Sequence, residues 1–229
     1  MNMKKRTISY LILLFMIPVT IAIGVYFFAD RSYVFISLVI VILASIAFFI
    51  TFENRETNIR LLVVLAVMVA LSVVGRFLFA AIPAFKPVTA IVTIMALYFG
   101  AEIGFLIGAL SALISNIYFG QGPWTPFQMF AWGMIGFMAG LPFIRQVLLQ
   151  NRFMLALFGV FAGVIFSLMM DIWAVLSIDG TFNRNRYLAA IGLSIPFMII
   201  YAVSNVVFLL LTIKPIGEKL ARIKTKYGL

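Results

Sequence analysis

Residues 76–140 read RFLFAAIPAFKPVTAIVTIMALYFGAEIGFLIGALSALISNIYFGQGPWTPFQMFAWGMIGFMAG. Inside an apolar sequence this stretch holds an arginine (Arg76), a lysine between two prolines (Lys86), small residues at four-residue spacing and a polar-aromatic loop, GQGPWTPFQ. Charges and irregular backbone are costly in hydrocarbon unless they face protein or water. A helix that only crosses a bilayer has no use for any of them. Together they read as the walls and mouth of a binding cavity.

The rest of the chain says what the walls are made of. Its 229 residues are 65% hydrophobic and 10% charged, more apolar surface than a soluble domain of this size encloses. The surrounding solvent is therefore lipid. The run 7–29 is too long for a signal peptide and lacks a small-residue cleavage site, so it reads as a membrane helix. Cysteine and histidine are absent, which removes disulfides, thiolate chemistry, thiol or imidazole metal ligands and histidine proton relays. No metal site is expected.

Eight apolar segments follow from the pattern: 7–29, 33–52, 60–82, 86–100, 102–119, 126–145, 153–178 and 187–213. This is an all-α integral membrane protein. Segments four and five are short, so two tilted spans and a re-entrant pair both fit. With the N-terminus in the cytoplasm, Lys4, Lys5, Arg6, Arg55, Arg60, Arg145, Arg152, Lys214, Lys219, Arg222, Lys224 and Lys226 lie on one side. Arg31, Lys86, Arg184 and Arg186 lie on the other. That asymmetry is the orientation signal of a plasma-membrane protein with both termini cytoplasmic. The net charge of +10 is thus explained by topology, with anionic lipid headgroups rather than nucleic acid as the partner of the basic tail.

Gly100, Gly104, Gly108 and Ala112 share one helix face, which suits close helix packing, and Asn116 falls on the same line. Thr125-Pro126-Phe127-Gln128 reads as a helix start, with Thr125 as N-cap, Gln128 closing a capping box and Trp124 and Met129 as the staple. The alternative is an aromatic-amide wall built from Trp124, Gln128 and Trp132. Arg76 and Asp171 are the ionisable groups most clearly within spans, and they are expected to share a layer and to pair. Lys86 and the cluster Asn183–Arg186 read either as a solvated rim or as ligand contacts. Ala66 and Ala70 form a small-xxx-small pair that suits internal packing or docking of a second protein.

No GxxxxGK[ST] loop occurs, no serine-histidine arrangement is available, and the carboxylates are few and scattered. Binding or transport is favoured over catalysis. A stand-alone secondary transporter remains the alternative, although its inverted repeat of broken helices finds no second copy of GQGPWTP.

The pieces RFLFAAIPAFKPVTAI, YFGAEIGFLIGALSALISN, FGQGPWTPFQMFAWGMIGFMAGL and SLMMDIWAVLS resemble the substrate-binding S components of energy-coupling factor (ECF) vitamin transporters. The resemblance is best over 60–213 and is most like the cobalamin branch. It implies a six-helix core, 58–229, preceded by an added helical hairpin, 1–57. It further implies that Ala66 and Ala70 contact a transmembrane coupling subunit and that two cytoplasmic ATPases supply the energy. The vitamin, cobalamin in this reading, would bind around Phe85, Lys86, Asn116, Gln121, Trp124, Gln128 and the loop 179–187, which holds Asn183 and Arg184; Arg76, Tyr118, Trp132 and Asp171 are further candidate contacts read from the sequence itself. Riboflavin, another vitamin or a queuosine-type base are the alternatives, because S components share a fold while their pockets differ.

Overall fold

The computed structural model describes residues 3–28, 33–52 and 59–228. Arg31, Arg55 and the connection ENRETN lie outside the described residues. The described chain is helical throughout, with no strand. α1 (Met3–Leu11) runs through a π-helical turn (Ile12–Met16) into α2 (Ile17–Phe28), and α3 (Tyr33–Phe52) completes a hairpin. Then come α4 (Ile59–Leu78), α5 (Val88–Phe99), α6 (Ala101–Phe119), α7 (Trp124–Gly140), α8 (Pro142–Gln150), α9 (Arg152–Asp179) and α10 (Arg184–Tyr227). Helix is the only open-chain solution that satisfies every backbone group in lipid.

α5 is the pivot. Its residues 88–97 are all buried, as expected of a helix apolar on every side. At 12 residues it is about 18 Å long, too short to cross a hydrocarbon core of about 30 Å. It packs against α6, α7, α10 and α4. α6, with 19 residues, is long enough to span.

Glycine sets the closest approach. A Cβ on Gly108 would lie 2.5 Å from the Trp132 carbonyl oxygen, and one on Gly104 would lie 2.5 Å from the Gly136 carbonyl oxygen. The four-residue stripe therefore packs α6 directly on α7, backbone to backbone. α9 and α10 form a second pair, with Gly163 against the Ala202 backbone.

Two segments differ from the expected boundaries. The sixth, read as 126–145, breaks: α7 ends at Gly140 and the chain bends by 76° into α8. Pro142 sits at the start of α8, where its missing N–H costs nothing. The eighth, read as 187–213, continues to Tyr227 through Pro196 and Pro215. Its apolar run stops near Lys214, but the helix-favouring sequence EKLARIKTK carries the helix on.

Cations gather at one end of the bundle. Arg60 lies 4.5 Å from the Tyr227 ring, and Lys224 Nζ donates to the Tyr98 carbonyl at 2.8 Å. The opposite end holds the connections 79–87, 120–123 and 180–183; it is called the site end below.

Candidate functional site

At the site end, Arg76 leaves the last turn of α4 and turns toward α6. Its Nη1 donates to Asn116 Oδ1 at 2.7 Å and to Ser115 Oγ. The guanidinium also lies 4.6 Å from the Phe119 ring and 5.2 Å from the Trp132 ring, within cation–π range. Trp132 stacks on Phe166 (5.2 Å, 15°), and Phe166 meets Tyr201 edge-on at 5.0 Å. One layer thus joins α4, α6, α7, α9 and α10. Trp132 is eight residues into α7 and Phe166 thirteen before the end of α9, so the layer lies roughly 12–20 Å below those helix ends.

From that layer a polar relay climbs to the loop. Asn116, fully buried, donates through Nδ2 to Gln128 Oε1 (2.8 Å) and Thr125 Oγ1 (3.0 Å). The Thr125 hydroxyl donates to Gln121 Oε1 (3.0 Å), and Gln121 Nε2 donates to the Leu113 carbonyl (2.7 Å). Thr125 Oγ1 also accepts from the Gly122 amide at 3.3 Å. The expected capping box is not formed. α7 begins at Trp124, two residues early, and Asn116 takes the Gln128 oxygen that the box needed. Trp124 is the exposed member of the wall, while Gln128 and Trp132 are buried.

Lys86 stands apart from this relay. Its amide donates to Ser204 Oγ (2.9 Å), the Ser204 hydroxyl donates to the Lys86 carbonyl (3.1 Å), and Nζ bonds the Phe79 and Ile82 carbonyls. Burial pushes the Lys86 ammonium below the usual lysine value, and Arg76 adds repulsion. Phe85 packs with Phe79 and Phe208 at 5–6 Å, tying the same loop to α10. Between them Ala84 holds φ +58°, a left-handed conformation that costs a non-glycine residue about 1 kcal/mol. Loop 79–87 is thus strained and pinned at several points.

The other candidates disperse. The Arg76–Asp171 pair does not form: Arg76 is spent on α6, and Asp171 Oδ2 accepts from Ser194 Oγ at 2.7 Å within the α9–α10 pair. Arg76 lies at the α4–α6–α7 junction, whereas Asp171 faces α10, and composition does not fix which neighbour a charge meets. Asn183 caps α10 by accepting from Asn185 and Arg186 amides (3.1 and 3.2 Å). Arg184 is exposed and Arg186 pairs with Asp179 at 2.7 Å. Tyr118 is exposed and packs edge-on against Phe77 (4.6 Å). Ser115 is a partner the sequence reading missed; its place one residue before Asn116, opposite Arg76, was the available signal.

Ala66 and Ala70 lie on the exposed face of α4, in an apolar groove of about 530 Å³ walled by α3 and α6. Among the described residues no group of three metal-ligating side chains comes together.

The family model of the ECF-type riboflavin transporter S component matches residues 56–219, most of the chain. The chain belongs to that family. It is therefore a multi-pass membrane subunit of a vitamin transporter, a transport component and not an enzyme. Searches of curated proteins and of solved structures returned no match. The hairpin α1–α3 lies outside the residues that the S-component match covers, while the site relay lies wholly within them.

Proposed function

We propose that this S component captures cobalamin at the site end and delivers it to an ATP-driven ECF transporter. The observation that carries this reading is the relay from Arg76 to Gln121, which sets a half-buried guanidinium and four polar side chains beneath the GQGPWTPFQ loop. Intramembrane polar groups on this scale are retained for a ligand or ion path. The Trp132 ring is already occupied by Phe166 and Arg76, so no open slot waits for a single flat ring. A large ligand resting on a recessed floor suits that arrangement better. Riboflavin is the second reading, favoured by the name of the matched family.

In this reading the site end faces outward and the basic end faces the cytoplasm, as the charge asymmetry favours. The groove over Ala66 and Ala70 receives a helix of the coupling subunit, whose small-residue contact permits close approach. Two separate cytoplasmic ATPases burn the fuel. The hairpin, 1–57, is a unit added to the core, 58–229. The rim residues Phe85, Lys86, Tyr118, Trp124 and Arg184 complete the ligand's surroundings.

Mass spectrometry and calorimetry on the purified chain with cobalamin, riboflavin and other vitamins test the ligand. Cobalamin retained at about nanomolar Kd is the expected result. Retention of riboflavin instead transfers the assignment, and retention of no vitamin ends it. Ala66→Trp and Ala70→Trp should abolish co-purification of the coupling subunit while sparing the vitamin; an intact complex in both removes the docking role.

A further inference from the structure

From the direction of the relay we infer that the floor of the site offers its ligand chiefly hydrogen-bond donors, the free N–H groups of Arg76 and the Nε2 amide of Gln128, and so selects a ligand rich in carbonyl or anionic oxygen. The inference rests on the capture reading above and specifies the chemistry of the captured molecule.

The polarity is forced from one end. A guanidinium carries five donors and no acceptor, so the atom of Asn116 facing Arg76 at 2.7 Å has to be the oxygen. Asn116 then has only its NH₂ left, and both of its remaining contacts, Gln128 Oε1 and Thr125 Oγ1, are acceptors. With the Thr125 oxygen already accepting, its proton goes on to Gln121 Oε1. The Gln121 amide nitrogen ends the chain on the Leu113 carbonyl, which only accepts. Reversing any member would set two donors or two acceptors face to face.

The consequence is an inventory. The side-chain oxygens of Ser115, Asn116, Gln121, Thr125 and Gln128 each already accept at least one hydrogen bond, so acceptors are the minority of what the floor has to offer. What is left over is Gln128 Nε2 with two protons and Arg76 Nε and Nη2, together with the Tyr201 hydroxyl, which feels the Arg76 charge and can donate or accept. None of these has a hydrogen-bond partner among the described residues, and none is sealed away from open space. A buried polar site discriminates most strongly against a ligand that leaves its groups unpaired. A molecule whose edge presents amide carbonyls or a phosphate satisfies this surface. One whose edge presents amino or hydroxyl donors with no acceptor alongside does not.

Gln128→Glu separates this role from a merely structural one. It keeps an oxygen for Asn116 and removes the NH₂. The expected result is an unchanged unfolding temperature with affinity for the vitamin that the wild type retains reduced about 30-fold, as for a lost hydrogen bond of about 2 kcal/mol. Affinity within threefold of wild type overturns the inference. A second arm needs no vitamin. Crystals of the full wild-type chain soaked in iodide should show anomalous density within bonding reach of Arg76 or Gln128 Nε2, and crystals soaked in caesium should show none there. An absent iodide peak, or a caesium peak at that place, overturns the donor-rich site even if Gln128→Glu fails to fold. If the wild type retains no vitamin, the capture reading falls and the iodide and caesium result alone decides this one.

Discussion

Two helix pairs in this molecule use the same device to different depths. α6–α7 and α9–α10 both approach through glycine. In α6–α7 a Cβ on Gly104, Gly108, Gly136 or Gly140 would meet backbone at 2.3–2.5 Å. In α9–α10 the contact is as tight only at Gly163 (2.6 Å) and relaxes to 3.1 Å at Gly159. α6–α7 also buries its polar ends, whereas α10 leaves Leu193, Phe197 and Ile199 exposed to the surroundings. Small-residue packing is thus general to the bundle. What marks the site is a glycine stripe that ends in an amide and has an arginine across from it.

The sharpest way to break this comparison is to add a methyl group to each pair. Gly108→Ala has only backbone to push against and should cost more than about 3 kcal/mol, leaving little monodisperse protein in detergent. Gly159→Ala needs its neighbours to give by a few tenths of an ångström and should cost about 1 kcal/mol or less. Thermal unfolding followed by size-exclusion chromatography compares them, and equal losses would erase the difference between the pairs.

The charges sharpen it next. Arg76 belongs to the first pair and Asp171 to the second. Arg76→Ala strands the acceptors of Ser115 and Asn116 and should weaken vitamin binding about 100-fold, near the 3 kcal/mol upper end for charged hydrogen bonds. Arg76→Lys should restore little, since an ammonium lacks the planar fork. Asp171→Asn should lower the unfolding temperature while changing affinity less than threefold. The reciprocal swap, Arg76→Asp with Asp171→Arg, should not rescue binding; rescue would show that the two charges meet in the working state.

The sequence carried the periodic part of this arrangement. The stripe from Gly100 to Asn116 is legible because helical spacing puts those residues on one line whatever lies opposite. Its counterpart on α7, Gly133, Gly136 and Gly140, follows a less regular spacing, and only the fold brings it to Gly104 and Gly108. Partner choice was hidden for the same reason. Two lone charges in a membrane invite pairing, yet each found local hydroxyls and amides first. The GQGPWTPFQ loop announced unusual backbone, but its capping grammar misassigned Thr125 and Gln128 because a local motif competes with a buried amide nine and twelve residues back.

That competition gives the smallest and most discriminating prediction. If Thr125 served only to cap α7, Thr125→Val and Asn116→Ala would act on separate features and their costs would add within about 0.5 kcal/mol. The structure instead puts Asn116 Nδ2 3.0 Å from Thr125 Oγ1, with the same oxygen accepting from Gly122. Removing either partner leaves the other one hydrogen bond short, so the second deletion should cost less than it does alone. A coupling energy of about 1 kcal/mol is expected from thermal unfolding of the two single variants and the double variant. Because Asn116 is also held by Arg76, repeating the cycle on an Arg76→Ala background should shrink the coupling, as Asn116 loses the bond that fixes its orientation. The loop would then be held as a network anchored on the arginine, which is what sets this pair of helices apart from α9–α10.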